Sequence, residues 1–178
     1  MQRIGTTELI TQYTNGQREF GEIDLSEEDL FEIDLRDIDL TGSDLTRAYL
    51  PYANFSQARL QDSIWAEAQM ADTKFYQTDL SQANLQGVDL SRASLRQANL
   101  QGANLQGANL QEADLSNANL KNADLTGANL SRANLDRANL GEAKLSGSNF
   151  FRAKNVDFTD AKLDSKTIAP DGYHPDVP

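Results

Sequence analysis

The sequence predicts an all-β solenoid, in which the chain winds into a stack of short-sided coils, and three observations lead to this prediction. A large apolar residue stands at every fifth position from Phe20 to Phe150, which makes 27 consecutive positions without an exception. Two residues before it stands a small or branched residue, and 16 of the 26 such positions from 23 to 148 are alanine. The residue between the two is most often Asn or Asp.

A period of five suits neither a regular helix nor a flat strand. On an α-helix each step of five rotates the apolar residue by about 140°, so the leucines would spiral around every face. On a flat strand an odd step moves the residue to the opposite face each time. Both arrangements would leave most of the leucines in water. A chain that turns a corner within every repeat points them all to one interior, so the period predicts a coil.

The tandem pattern A-(D/N)-L-x-x resembles that of the pentapeptide-repeat family, and the likeness covers roughly residues 18–165. The resemblance implies a right-handed quadrilateral parallel β-helix with four repeats, or twenty residues, in each coil. It also implies that the Leu/Phe and Ala positions point inward, while the Asn/Asp and the two residues after the Leu/Phe point outward. The segment ELITQYTNGQREF resembles the capping helix of cyanobacterial members.

This interpretation divides the chain into three segments. Residues 1–17 form a short N-terminal capping helix and linker, and residues 18–165 form the pentapeptide-repeat solenoid of about seven coils. Residues 166–178 form a C-terminal tail that is ordered at first and then frays. A helix over the first coil is needed because the raw end of a solenoid would otherwise template association.

The capping helix has start and stop signals of its own. Thr6 or Thr7 is expected to cap a helix that runs to about Thr14 and stops at Asn15-Gly16. Three apolar residues at helical spacing should lie over the first coil, namely Leu9, Ile10 and Tyr13.

The five-residue register slips near Asn155. Phe150 is followed by Phe158 and then by Leu163, which we interpret as a three-residue insertion in a bulged last coil. The segment AKLDSKTI is expected to close this coil.

Outward positions twenty residues apart should stack into columns, and two of these columns are distinctive. Asp72, Arg92, Glu112 and Arg132 alternate in sign, so neighbouring coils should be joined by ion pairs. The other column is glycine, at 87, 107, 127 and 147. We interpret it as a series of tight corners, and the alternative interpretation is a smooth docking surface.

Glu28 departs from the pattern because it is a charged residue at an inward position. An unpaired carboxylate in the interior would be costly, so we expect it to find a partner. The candidates are Arg18, which stands two residues before Phe20, and a donor at the end of the capping helix. The remaining alternative is that Glu28 swings outward at a distorted first coil.

The composition offers no chemistry for catalysis. The chain has no cysteine, and its single histidine, His174, stands in a tail rich in Pro and Asp, so we assign no catalytic, cofactor-binding or metal-binding residue and expect no cofactor. The net charge of −11 argues against direct binding to nucleic acid or to an anionic membrane. Without a long apolar segment, the expected location is the cytoplasm.

The candidate interaction surface consists of carboxylates and exposed aromatic residues. Residues 1–45 carry twelve Asp/Glu against three Lys/Arg. Four acidic residues occupy the same repeat position on successive sides of the first coil, namely Glu22, Glu27, Glu32 and Asp37. This acidic belt is either a solvated guard against association or a docking site. Three tyrosines are outward by position, namely Tyr49, Tyr52 and Tyr76.

These observations favour a non-enzymatic structural or protein-interaction scaffold, either a monomer or an end-to-end dimer, that binds a protein partner of unknown identity. The alternative is a DNA-mimicking binder of DNA gyrase, which the resemblance suggests because some members of the family protect gyrase from quinolones. A mimic needs a continuous negative stripe, whereas the acid here is concentrated at one end and later columns alternate in sign.

Overall fold

The computed structural model describes residues 1–175, and parallel backbone pairing between residues twenty apart dominates it. Three regular elements stand at the start of the chain: β1 (Gln2–Arg3), α1 (Thr6–Thr14) and β2 (Ile23–Asp24). Isolated parallel bridges then recur every five residues, from Glu19↔Asp39 to Asn134↔Lys154. Each twenty-residue coil therefore carries four bridged positions. The predicted all-β solenoid with an N-terminal helix is confirmed.

The chain turns between bridges with one repeated geometry. In the turn after Leu30, for example, the N–H of Ile33 donates to the carbonyl of Leu30 at 3.3 Å, and Glu32 between them has a φ of 55°. A positive φ at the third residue of such a turn is the mark of type II. The same φ, between 55° and 68°, recurs at every fifth residue from 22 to 152.

Glycine occupies only six of these left-handed corner positions, including 87, 107, 127 and 147. Their positive φ values confirm the prediction that the glycine column marks tight corners. The other corners hold ordinary residues, for which the left-handed conformation is strained. From residue 22 to residue 132, each corner N–H donates to a carbonyl of the next coil, as Glu32 does to Pro51 at 3.0 Å. This pairing holds the strained conformation in place.

The Asn and Asp residues stand in the ladder and not at the corner itself. Oδ1 of Asp39 accepts from the backbone N–H of Thr41 at 2.8 Å, which fixes the entry to the turn. Between coils the amides form side-chain ladders, as where Nδ2 of Asn119 donates to Oδ1 of Asn99 at 3.0 Å. The left-handed corner itself lies two residues after the Leu, and so three residues after the Asn or Asp.

One continuous apolar core runs the length of the coil stack. All 27 Leu/Phe-type positions from Phe20 to Phe150 are buried, and so are the smaller inward residues from 38 to 148. Trp65 is fully buried with its ring edge-on to Phe55 and Phe75, at centroid distances of 5.6 and 6.2 Å. It belongs to the core and not to a ligand site.

The last coil contracts, which corrects the predicted insertion. Lys154 pairs with Asn134, twenty residues earlier, whereas Lys162 pairs with Lys144, eighteen residues earlier. The chain has therefore lost two residues from a side. Phe158 packs edge-on against Phe150 at 5.1 Å.

The ladder continues to Ile168, which pairs with Asn149 and lies beyond the expected end at residue 165. The hydroxyl of Thr167, within AKLDSKTI, donates to the carbonyl of Leu145 at 2.8 Å. Residues 176–178, to which the predicted fraying of the tail refers, lie outside the described residues.

The N-terminal segment covers the first coil by two means. β1 pairs in parallel with β2, with Gln2 opposite Ile23 and Arg3 opposite Asp24, a contact that the sequence did not predict. α1 spans the predicted range, but its N-cap is Gly5 and neither Thr6 nor Thr7 caps it. Of the three residues expected over the coil, Leu9 is buried and Tyr13 is partly buried.

The prediction for Ile10 is wrong, because 42% of this residue is exposed. Ile10 follows Leu9 directly and so lies about 100° around the helix from the buried face. This position places it at the edge of the first coil.

Candidate protein-interaction site

The four residues of the acidic belt occupy the four left-handed corners of the first coil. Their φ values lie between 55° and 62°, so the turn geometry itself directs each carboxylate outward. All four are exposed, namely Glu22, Glu27, Glu32 and Asp37. Glu27 forms an ion pair with Arg47 of the next coil. Among residues 1–175, no cation lies within ion-pair distance of the other three.

Charges further along the coil stack are compensated from coil to coil. Arg92 lies 2.7 Å from Asp72, and Arg132 lies 3.1 Å from Glu112. The predicted pairing of this column is confirmed for two of its three neighbouring pairs, since Arg92 and Glu112 form no ion pair among residues 1–175. The excess negative charge is therefore concentrated at the N-terminal end.

An aromatic patch lies beside the belt on one corner of the stack and consists of Phe31, Tyr49 and Tyr52. Phe31 lies nearly parallel to Tyr49, with ring centroids 6.1 Å apart and an interplanar angle of 12°. It meets Tyr52 edge-on at 6.0 Å and 86°. The exposed fractions of the three residues are 46%, 41% and 53% respectively.

Two of the three predicted tyrosines thus come together, and the third does not. Tyr76 is exposed, but it follows Phe75 at another corner of the coil and forms no aromatic pair among the described residues. Phe31, which the sequence reasoning missed, joins Tyr49 and Tyr52. Its signal was available, since a large aromatic residue is unusual directly after the Leu of a repeat, where polar or small residues prevail.

A groove of about 650 Å³ opens between α1 and the side of the first coil at residues 29–36. Ile10 and Tyr13 form its helical wall, and Phe31 and Ile33 line it from the coil. We call it the N-terminal groove. Phe31 belongs both to this groove and to the aromatic patch, so the two form one continuous surface.

The cations at the groove are already engaged. Arg36 lies 2.9 Å from Asp34, and its hydrogen bond lowers the pKa of the Asp34 carboxyl below the usual value. The guanidinium of Arg18 stacks 3.9 Å from the centroid of Tyr13 and donates to the Tyr13 carbonyl at 2.8 Å. Arg18 is therefore not the partner of Glu28. Burial raises the pKa of Tyr13, whose hydroxyl donates to the carbonyl of Arg36 at 2.8 Å.

Within residues 1–175, no three His, Cys, Asp or Glu side chains are grouped so as to hold a metal ion. His174 directs Nδ1 to the carbonyl of Thr167 at 2.9 Å, at the opposite end of the stack. In the same described part of the chain, no helix has the length and apolar character needed to cross a membrane.

The five-residue pattern matches known proteins. The model of the pentapeptide repeat family matches eight copies, over residues 29–64, 53–92, 73–111 and 113–150. No curated protein matches the chain. HetL, a pentapeptide repeat protein involved in heterocyst differentiation regulation in the cyanobacterium Nostoc sp. strain PCC 7120, is a similar solved structure. Its identity is 25% and its TM-score 0.43, over 97% of this chain and 100% of HetL.

Two further solved structures are similar. Rfr23, a pentapeptide repeat protein from the cyanobacterium Cyanothece 51142, has 25% identity and a TM-score of 0.43, over 93% of this chain and 99% of Rfr23. QnrB1, a plasmid-mediated fluoroquinolone resistance protein, has 20% identity and a TM-score of 0.49, over 82% of this chain and 79% of QnrB1. The family match covers well over half of the sequence and coincides with the bridged coils, so this chain belongs to the pentapeptide repeat family.

Proposed function

We propose that this chain is a non-enzymatic scaffold that binds a protein partner through its N-terminal end. The observation that carries the proposal is the aromatic patch, in which Phe31, Tyr49 and Tyr52 expose adjoining rings. Aromatic residues supply large contact areas with few rotatable bonds, and they are enriched at the centres of protein interfaces. This cluster of three adjoining exposed rings is therefore the best candidate for a contact.

The acidic belt adds selectivity to this surface. Glu32 stands at the corner directly after Phe31, and it has no ion-pair partner among residues 1–175. A negative rim around an aromatic centre favours a partner with a positive surface and raises the rate of encounter with it. In this proposal the belt is part of the docking surface as well as a guard against association.

The charge distribution supports a scaffold over a mimic of DNA that binds gyrase. A mimic requires negative charge in a stripe along the rod, because the phosphates that it imitates run along a helix. In this chain the pairs Asp72–Arg92 and Glu112–Arg132 neutralise one long column.

We also propose that the coil is right-handed and quadrilateral, and that the protein acts in the cytoplasm as a monomer.

Affinity capture from the native cell tests the proposed function. The bait is the full chain, compared with a double variant, Phe31→Ser with Tyr52→Ser, in the aromatic patch. The matched control is Phe151→Ser. Phe151 is 40% exposed and occupies the same corner column as Phe31, but it lies at the opposite end of the coil stack. We expect one protein in stoichiometric amount with the wild type and the control, and at least a tenfold loss with the double variant. Equal recovery with all three baits would overturn the proposal, and recovery of gyrase would favour the DNA mimic.

A further inference from the structure

Among residues 1–175, two of the four sides of the first coil lack a backbone partner, namely those at Asp29 and at Asp34. β1 covers the side at Ile23 and Asp24. At Asp29, on the next side, only side chains reach the edge: the Thr6 hydroxyl lies 2.9 Å from the Asp29 carbonyl, and Arg3 donates to the Ser26 carbonyl at 3.0 Å. On the side that lines the N-terminal groove, the N–H and the carbonyl of Asp34 form no hydrogen bond with residues 1–175, nor does the carbonyl of Phe31.

The same three groups are all paired one coil later, and this shows what they can bind. The carbonyl of Pro51 accepts from Glu32, the N–H of Asn54 donates to Ile33, and the carbonyl of Asn54 accepts from Leu35, at 2.8–3.0 Å. A strand laid in parallel on Asp34 would need an N–H, the carbonyl of the next residue, and an N–H two residues further on. The groove therefore contains an open sheet edge with a specific donor and acceptor order.

The chain already binds such a segment two sides earlier in the same coil, at Asp24. The N–H of Ile4 donates to the carbonyl of Asp24 at 3.2 Å, as Leu35 does to Asn54, and the Ile4 side chain is buried. Arg3, the residue before it, points outward and lies 3.6 Å from carboxylate oxygens of both Asp24 and Glu28. An aliphatic residue preceded by a cation is therefore a fitting sequence for this edge.

The groove presents comparable surroundings to a second segment. Ile10, Phe31 and Ile33 offer apolar contacts next to the open edge of Asp34. Asp29 and Glu32 form no ion pair within residues 1–175, whereas Arg36 and Arg18 are engaged with Asp34 and Tyr13. A basic segment gains from this excess of carboxylates, and an acidic one does not.

We propose that the N-terminal groove binds an extended basic segment of a partner protein by parallel strand addition to Asp34. The segment places an aliphatic side chain over the apolar groove and an Arg or Lys outward. This inference rests on the proposed function and specifies how the partner is held. Backbone hydrogen bonds supply affinity in this mode of recognition, and alternate side chains supply specificity.

The test uses the full-length, ¹⁵N-labelled protein and the synthetic peptide acetyl-Lys-Val-Arg-Ile-Lys-amide. We expect saturation with this peptide to slow hydrogen exchange at the Asp34 amide by at least tenfold. A peptide methylated on the Ile nitrogen loses the donor to the Asp34 carbonyl and should bind roughly tenfold more weakly. The matched control is methylated on the Arg nitrogen, which points away from the coil, and it should bind as well as the parent peptide.

Three results would overturn the inference. The first is equal binding of all three peptides without protection of Asp34, which would indicate side-chain docking only. The second is protection of Asp34 by self-association of the protein without peptide. The third is the absence of any peptide binding. In the first and third cases, the proposed function still holds if capture of a partner depends on Phe31 and Tyr52. Equal capture by the wild type and the double variant would refute the proposed function separately.

Discussion

The carboxylate of Glu28 caps the helix that covers its own coil. Its Oε2 accepts from the backbone N–H of Thr6, the first residue of α1, at 2.9 Å. The Thr6 hydroxyl lies at the same distance from this Oε2 and from the Asp29 carbonyl, which share its one proton. The helix N-cap residue, Gly5, supplies no side-chain acceptor. A residue that breaks the repeat pattern thus joins the solenoid to its cap, and the positive end of the helix dipole stabilises its charge.

Removing this cap should loosen the N-terminal end without unfolding the coils. We expect Glu28→Ala to lower the free energy of unfolding by about 1–2 kcal/mol, because an orphan helix donor loses its acceptor. Hydrogen exchange at the first turn of α1 should accelerate. Glu22→Gln, at an exposed corner of the same coil, is the control and should change stability by less than about 0.5 kcal/mol. Equal effects of the two substitutions would contradict the capping role.

The central core should be sensitive to side-chain volume in both directions. Leu110→Ala should cost about 2–5 kcal/mol of unfolding free energy, since a fully buried side chain is removed from between neighbouring coils. Ala108→Leu should cost about 1–3 kcal/mol, because the small site has no room for a larger group. Denaturant unfolding measures both, with the exposed Gln111→Ala as a control. Midpoints within error of the wild type for the two core variants would refute the packing.

The left-handed corners predict that the same substitution has opposite signs at two turn positions. Gln57 has a φ of 64°, so Gln57→Gly should relieve strain and raise stability by about 0.5–1 kcal/mol. Gln111 precedes a corner and has no positive φ, so Gln111→Gly should lower stability by a similar amount. Gly127→Ala should also be destabilising, although a methyl group there would meet no atom within 4 Å. A shared sign for the two Gln→Gly variants in thermal unfolding would contradict this account.

Asp124 makes stability depend on pH in the acid range. Burial raises the pKa of this carboxyl, but hydrogen bonds from Thr126, Gln106 and Lys144 outweigh burial and bring the pKa from 3.8 to about 2. Because the pKa is lower in the folded state, this stabilisation is present above about pH 4 and is lost as the pH falls towards 2. Between pH 4 and 2, Asp124→Asn should therefore flatten the fall in unfolding free energy.

The matched control for this pH effect is Asp136→Asn, which removes a half-buried carboxylate from the residue before a corner. Its profile from chemical denaturation at several pH values should run parallel to that of the wild type. If the Asp124 and Asp136 variants had the same profile, the hydrogen bonds to Asp124 would not be the cause.

The five-residue period predicted the core of the coils, but it did not predict the structure at the end of the stack, where the period is interrupted. The Leu/Phe and Ala series predicted the core of the coils, because two inward residues on every side can share only one interior. The end of the stack was mispredicted because eight residues separate Phe150 from Phe158. A spacing of eight residues is compatible with one repeat that has three additional residues. It is equally compatible with two repeats that are two residues short, and only the pairing of Lys162 with Lys144 distinguishes the two cases.

The residues of the candidate site were predicted to be exposed, but their grouping into one surface was not. Repeat position placed the belt and the tyrosines on the surface, but it could not show which corners adjoin an open groove. β1 is only two residues long, too short for any periodic signal, and its pairing depends on the fold of β2. The aromatic patch needed the contact between Phe31 and Tyr49, which lie on different coils.

Site-specific photo-cross-linking in the native cell tests the central claim, that a protein partner docks at the N-terminal aromatic patch, most directly. A photoreactive phenylalanine analogue replaces Phe31 in one preparation and Phe151, at the far end of the same corner, in another. The account predicts one discrete cross-linked protein from position 31 and none from position 151. Cross-linking from position 151 alone, or an equal pattern from both positions, would contradict it.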